Sequence, residues 1–431
     1  MSSREIMEMA HKHLILSMIE KLQPVVIDHA QGALVWDMDG KEYIDCYAGI
    51  SVVNAGHCPP EVVNAAIEQA KKLVHACTYV YYVPPAIRLA KRLAEITPAP
   101  LQKVFFGNSG AEALECAMKL ARKYTKRHEF IALMCSFHGR TLGTLSITGQ
   151  SGRRRYDMGP YLSGVSFIPP PYCYRCFFGL TYPECDLQCA RFIRYAIEYS
   201  SSKCVAAFIA EGVMGEGGII PPPPEYFKII KEILDEYGIL FICDEVQSGY
   251  GRTGKFFAIE HYGVDPDLMT LAKGIASGFP ISACVARPEI GDAFEPGDHL
   301  STFGGNPISA AAALATIEYM IKNRLPEQAA EKGEYVMKRL NEMKERHPII
   351  GDVRGKGLMI GIELVKDRET KKPAVDEAKR VRELCREMGV LVGRGGVVAS
   401  VIRFQPPLVI TKEQLDKALD VFEEALRKVE Y

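Results

Sequence analysis

Residues 237–257 read YGILFICDEVQSGYGRTGKFF. Ile239 to Cys243 form an unbroken apolar run that ends on two carboxylates, Asp244 and Glu245. A short apolar run without alternation reads as a strand buried on both faces, the pattern of a parallel sheet covered by helices. A lone carboxylate at the end of such a strand is costly unless a cation or a hydrogen-bond donor meets it. The stretch therefore raises two expectations: a buried parallel sheet, and a functional group where this strand ends. It also contains Gly249-x-Gly251-x-x-Gly254, which spells a dinucleotide fingerprint. That motif needs its glycines to join strand directly to helix, with an acid about 20 residues further on. Here DEVQS intervenes, and the following acids do not match the spacing well. A nicotinamide enzyme is therefore disfavoured.

Working outward, similar runs occur at 103–107, 130–134, 164–168, 205–210, 268–271 and 281–286. Helical patterns lie between them, as at Ala111 to Lys123 and Tyr226 to Tyr237. The expected class is α/β, with a mainly parallel central sheet between helices. After Gly305 a long helix starts near Pro307, and the remaining strands and helices read as a smaller α+β domain. The opening GALVWDMDGKEYIDCYAG reads as two short strands around an Asp39-Gly40 turn that join that smaller domain. The expected division is 1–60 (N-terminal segment), 61–315 (large domain) and 316–431 (small domain).

The 431 residues are 48% hydrophobic and 24% charged, with a net charge of -1. That composition fits a globular chain and gives no reason to expect nucleic acid or a membrane surface as partner. The N-terminus is charged throughout and no window resembles a span of roughly 20 apolar residues, so a cytoplasmic location is expected. Most of the 13 cysteines sit singly in apolar runs. Four cluster in PYCYRCFFGLTYPECDLQCARF: Cys173, Cys176, Cys185 and Cys189. A zinc clasp, disulfides and a loop insertion with reduced thiols are all compatible with that spacing. The run Arg153 to Arg155 reads as a solvated turn.

Polar residues gather just after the strands: Asn108 to Gly110, Phe137 to Arg140, Glu211, Asp244 and Lys273. In an open parallel sheet the carboxyl ends share one edge, and ligands bind in the crevice there. Ser109 and Glu112 form a capping box, and Gly110 would let a phosphate approach the start of the helix. Phe137 offers an aromatic face. Lys273 ends a buried strand, where a desolvated amine becomes a nucleophile for carbonyl carbon. An aldehyde cofactor with a phosphate, a ring and a ring nitrogen would use every piece: Lys273 for a Schiff base, Asp244 for the ring nitrogen, the helix start for the phosphate. That cofactor is pyridoxal 5'-phosphate.

The chain also resembles the class III, or ω-, aminotransferases of the fold type I pyridoxal phosphate enzymes, through NAGHCPPEV, NSGAEA, SFHGRT, EGVMGEGG, DEVQSGYGRTG, LAKGIASGFP, STFGGNP and GDVRGKGLMIGIEL. The 4-aminobutyrate, acetylornithine and ornithine aminotransferases are the nearest in look. The resemblance implies Lys273 as the Schiff-base lysine and Asp244 as the ring-nitrogen partner. It implies Gln247 at the phenolic oxygen, Val246 among the cofactor contacts, and Ser109, Gly110 and Ala111 as the phosphate cup. Phe137 would stack on the ring beside His138. Thr302 would reach the phosphate in the other subunit, which makes a homodimer. Arg140 would bind a distal carboxylate with Glu211 as its partner, and Arg403 would take an α-carboxylate when freed from Glu216. The sequence departs from the family pattern at Gly212 and Met214, both near the substrate. The implied partners are an amino donor and a 2-oxo acid such as 2-oxoglutarate, with no metal. The alternatives are a racemase or epimerase with the same cofactor, or an acetylornithine or ornithine aminotransferase.

Overall fold

The apolar runs all form strands, and seven of them make one sheet. Its spatial order is Lys103–Gly107, Ser282–Ala286, Leu268–Leu271, Leu240–Asp244, Val205–Glu211, Glu129–Leu133 and Val165–Ile168. Only Ser282–Ala286 runs against its two neighbours; the other pairings are parallel. The computed structural model describes residues 1–17, 22–150 and 152–430, without the side chain of Arg153.

Burial explains why the runs lack alternation. In Leu240–Asp244, Phe241 and Cys243 join the core on one face, while Ile242 joins the core on the other. Each fully buried side chain of this size is worth about 1.5–3 kcal/mol relative to exposure, so both faces demand a helical cover. On one side Gly110–Thr125 contributes Leu114, Ala117 and Ala121 to the same core as Ile242. On the other, Tyr226–Tyr237 contributes Phe227, Ile230 and Leu234. That helix stops at Gly238, where φ is 60° and a side chain would be strained.

A second sheet has the order Ile27–Gln31, Leu34–Asp37, Glu42–Cys46, Val390–Gly395, Val401–Phe404, Met359–Asp367 and Ile350–Lys356, with Lys372–Pro373 on the side. N-terminal and C-terminal strands thus share one sheet, joined where Val390–Gly395 runs parallel to Glu42–Cys46. The glycines of the dinucleotide-like stretch lie in turns, not between a strand and a helix. The buried Arg252 among them donates to Leu358 O at 3.1 Å and to Asn54 Oδ1 and Pro406 O at 2.5 Å. It ties the end of the first sheet to the segments flanking the second. No helix among the described residues is long and apolar enough to cross a membrane.

Candidate active site

The carboxyl ends of the parallel strands open on a cavity of about 370 Å³. Its wall brings together Ser109, Gly110, Ala111, Phe137, His138, Arg140, Glu211, Asp244, Val246, Gln247 and Lys273. Asp244 is 3% exposed. Its Oδ2 lies 2.7 Å from His138 Nδ1, and its Oδ1 accepts from the Val246 N–H at 3.0 Å and the Thr270 hydroxyl at 3.4 Å. These partners explain how an apolar strand tolerates an aspartate at its end. Glu245, the next residue, is absent from the cavity wall. It accepts from the Ser248 hydroxyl at 2.6 Å and the Ile259 N–H at 2.7 Å, and burial pushes its carboxyl up to about 7. One carboxylate of the pair faces the site; the other holds the turn behind it.

Lys273 has φ 46°, a left-handed backbone that a lysine seldom adopts. Such strain persists only where the surroundings over-determine the chain, and it clusters at functional sites. Burial lowers its amine below the usual lysine range, while Glu216, Asp244 and Glu211 pull the other way. Asp267, six residues before Lys273, is held by Arg287 Nε at 3.0 Å and the Phe241 N–H at 2.8 Å.

Ser109 caps the helix as expected: its hydroxyl accepts from the Glu112 N–H at 3.3 Å, and Glu112 accepts from the Ser109 N–H at 2.9 Å. The N–H groups of Gly110 and Ala111 belong to the first turn, which the helix itself cannot satisfy. A Cβ on Gly110 would meet Val246 Cγ1 at 2.8 Å, so this glycine also lets the loop after Asp244 pack against the helix start. Gln247 Nε2 and His138 Nε2 are buried without a protein partner. An amine, a held carboxylate, open N–H groups, an aromatic face and an unpartnered amide donor together fit a phosphorylated pyridine aldehyde.

Beside this wall stands a second group. Glu216 bonds Arg403 Nη1 through Oε1 and accepts from Arg154 Nη2 through Oε2 at 2.7 Å. Arg403, 2% exposed, also donates to the Tyr47 hydroxyl at 2.6 Å. Burial pushes the Glu216 carboxyl up, but Arg403 and Arg154 more than reverse this and hold it at about 2. The loop carrying Glu216 is gripped by Arg354, which donates to Gly218 O at 2.6 Å and Ile219 O at 2.8 Å.

Two expectations need correction. Arg140 does not pair with Glu211. Glu211 spends its oxygens on the backbone N–H groups of Phe137 at 3.0 Å and Gly215 at 2.7 Å, and the Arg140 guanidinium lies over Phe137. Burial pushes the Glu211 carboxyl up to about 7; His138 and the two N–H groups pull the other way without reversing it. The arginine run is not a solvated turn: Arg154 pairs with Glu216, and Arg155 lies over the rings of Tyr161 and Phe167. The cysteine cluster, open to three readings in the sequence, packs as free thiols. All 13 cysteines are unbridged, and among the described residues no group of three or more His, Cys, Asp or Glu is arranged to hold a metal. That segment instead docks on the second sheet, where Arg175 Nε donates to Glu363 Oε1 at 2.5 Å. Thr302 is exposed and lies outside the cavity. Sequence reasoning missed Tyr47 and Arg154. Tyr47 lay in GALVWDMDGKEYIDCYAG, a stretch read only for its strands, and Arg154 gave only a charge run as its signal.

The chain is similar to known proteins over nearly its whole length. The chain is 47% identical over 411 residues to a leucine/methionine racemase of Thermococcus litoralis, covering 94% of this chain and 91% of that one. It is 43% identical over 423 residues to an acetylornithine aminotransferase of Methanothermobacter thermautotrophicus, covering 98% of each. An amine transaminase from an uncultivated Pseudomonas species, solved in its PLP-bound form, superposes with a TM-score of 0.91 at 32% identity over 96% of this chain and 98% of that one. Residues 17–426 match the family model described as aminotransferase class-III, and the chain belongs to that family of pyridoxal phosphate-dependent enzymes.

Proposed function

We propose that the enzyme moves an amino group from an ω-amino or amino acid donor of the 4-aminobutyrate kind to a 2-oxo acid such as 2-oxoglutarate. The observation that carries this reading is the buried Glu216–Arg403 pair beside Lys273. A transferase of this kind must accept substrates with and without a carboxylate on the reacting carbon. A guanidinium that can be covered or uncovered by one carboxylate meets that need. Arg403 would fork onto an α-carboxylate when free, and Glu216 would neutralise it when an ω-amino donor binds. Arg140, on the exposed side of the cavity, would take the distal carboxylate of such a donor.

Bound in the cavity, the cofactor supplies an electron sink for charge developing on the substrate's reacting carbon. Lys273 would hold its carbonyl carbon and, once released, carry a proton at the reacting carbon. Asp244, oriented by His138, would keep a proton on the ring nitrogen. Phe137 and Val246 would flank the ring, Gln247 would donate to the phenolic oxygen, and Ser109, Gly110 and Ala111 would cradle the phosphate. The exposed Thr302 fits a role in a partner's site, so the proposed active unit is a homodimer. A cytoplasmic location and the division at residues 60 and 315 complete the proposal.

A second reading is racemisation of an amino acid, favoured by the 47% identity to a leucine/methionine racemase. One experiment separates the two. The holoenzyme is incubated with single amino acids, and oxo acid, the cofactor spectrum and optical rotation are followed. Oxo acid together with an amine-form spectrum is the expected result. Loss of rotation without oxo acid would overturn transfer in favour of racemisation.

A further inference from the structure

Glu216 is not a simple partner of Arg403. Its two oxygens are divided between two arginines on different parts of the chain: Oε1 meets Arg403, and Oε2 meets Arg154 at 2.7 Å. Arg154 comes from the short helix Gly152–Arg155, and its side chain is 13% exposed. Its guanidinium lies 4.6 Å from the centre of the Phe137 ring, a residue of the cavity wall on which Arg140 also rests. Arg403 has a second support too, the Tyr47 hydroxyl at 2.6 Å.

We propose that Arg154 sets substrate preference by keeping Glu216 paired when Arg403 turns to a substrate α-carboxylate. This rests on the reading of Arg403 as the α-carboxylate site. If Glu216 had Arg403 as its sole partner, freeing that arginine would strand a carboxylate in a buried place. Removing one member of a buried pair is strongly unfavourable because the other is left uncompensated. With Arg154 on the second oxygen, the carboxylate keeps a charged, hydrogen-bonded partner throughout. The uncovered Arg403 then exchanges one carboxylate for another. Arg154 thereby favours donors and acceptors that carry their carboxylate on the reacting carbon. An ω-amino donor leaves the Glu216–Arg403 contact closed and gains nothing from this device. Stacking on Phe137 holds the Arg154 guanidinium in place, which limits the entropy lost when it acts.

The test compares Arg154→Met, Arg154→Lys and Arg403→Met holoenzymes with L-alanine and with 4-aminobutyrate. Dissociation constants come from substrate-induced changes in the cofactor spectrum and rates from single half-reactions; thermal melting is followed in parallel. Arg154→Met should lower the alanine-to-4-aminobutyrate ratio of kcat/KM at least tenfold and weaken alanine binding by a similar factor. Arg154→Lys, which keeps the charge, should recover part of that ratio. Equal losses for both substrates with a lowered melting temperature would overturn the proposal, since a structural role moves both together. A loss confined to 4-aminobutyrate would also overturn it, because Arg154 would then bind the distal carboxylate itself. If Arg403→Met spares alanine, the α-carboxylate reading falls, and this inference with it. If Arg403→Met impairs alanine selectively while Arg154→Met does not, only the role of Arg154 falls.

Discussion

The cavity wall and the Glu216 cluster adjoin each other but are built in different ways. The wall uses residues that end strands of one sheet, each delivered by its own segment. The cluster takes Tyr47, Arg154, Glu216 and Arg403 from four separate places, including a strand of the second sheet. The contrast is sharpest in two glutamates five residues apart. Glu211 on the wall meets backbone N–H groups, and burial pushes its carboxyl up to about 7. Glu216 meets two guanidinium groups that overcome burial and hold it at about 2. The same residue type is tuned in opposite directions, by burial that N–H dipoles do not offset in one place and by full charges that overcome burial in the other. The wall is suited to fixing one ligand, and the cluster to choosing between ligands.

If that division of labour is right, damage to the wall should abolish turnover with every substrate. Lys273→Ala should remove borohydride-reducible attachment of the cofactor and lower turnover on the order of 10⁴-fold for all donors. Normal attachment and rate in that variant would remove Lys273 from the centre. Asp244→Asn should retain cofactor, judged by absorbance after gel filtration, yet slow every half-reaction on the order of a thousandfold. An unimpaired rate would show that the His138–Asp244 contact serves packing alone.

Damage to the cluster should instead split the substrates. Arg403→Met should impair the α-amino and 2-oxo acid half-reaction by about 2–5 kcal/mol, the usual loss for a desolvated charge pair. Arg140→Met should weaken 4-aminobutyrate more than alanine, and by less than Arg403→Met weakens alanine, because Arg140 is exposed. Half-reaction kinetics with both donors checks this; equal losses in both variants would break the comparison between wall and cluster.

The smallest effect concerns acid stability. Glu216 falls from an ordinary 4.5 to about 2 on folding, so the folded state binds fewer protons there. Its stabilisation is present above pH 4.5 and is lost as pH falls toward 2. Glu211 rises from 4.5 to about 7, so stability declines as pH rises through that window. Melting temperatures from pH 7 down to pH 3 should therefore show the deficit of Glu216→Gln, relative to wild type, shrinking on acidification. Glu211→Gln should compare best with wild type at the neutral end. Parallel curves for the two variants would contradict the opposite tuning.

The sequence alone determined the sheet and the wall. Seven apolar runs became the seven strands with ends shifted by a residue at most, because burial on both faces leaves its mark in each run locally. Asp244 and Lys273 were readable because a charge at the end of such a run is costly without a purpose. Only the tertiary structure decided what Arg154 pairs with, that Glu211 serves backbone N–H groups, and that Asp244 rather than Glu245 faces the cavity. The cluster's contacts span 62 residues from Arg154 to Glu216, 187 from Glu216 to Arg403 and 356 from Tyr47 to Arg403. No local period encodes pairings of that length. They arise where the loop after one sheet meets a strand of the other, and a charge run reads the same in sequence whether it faces water or a buried carboxylate.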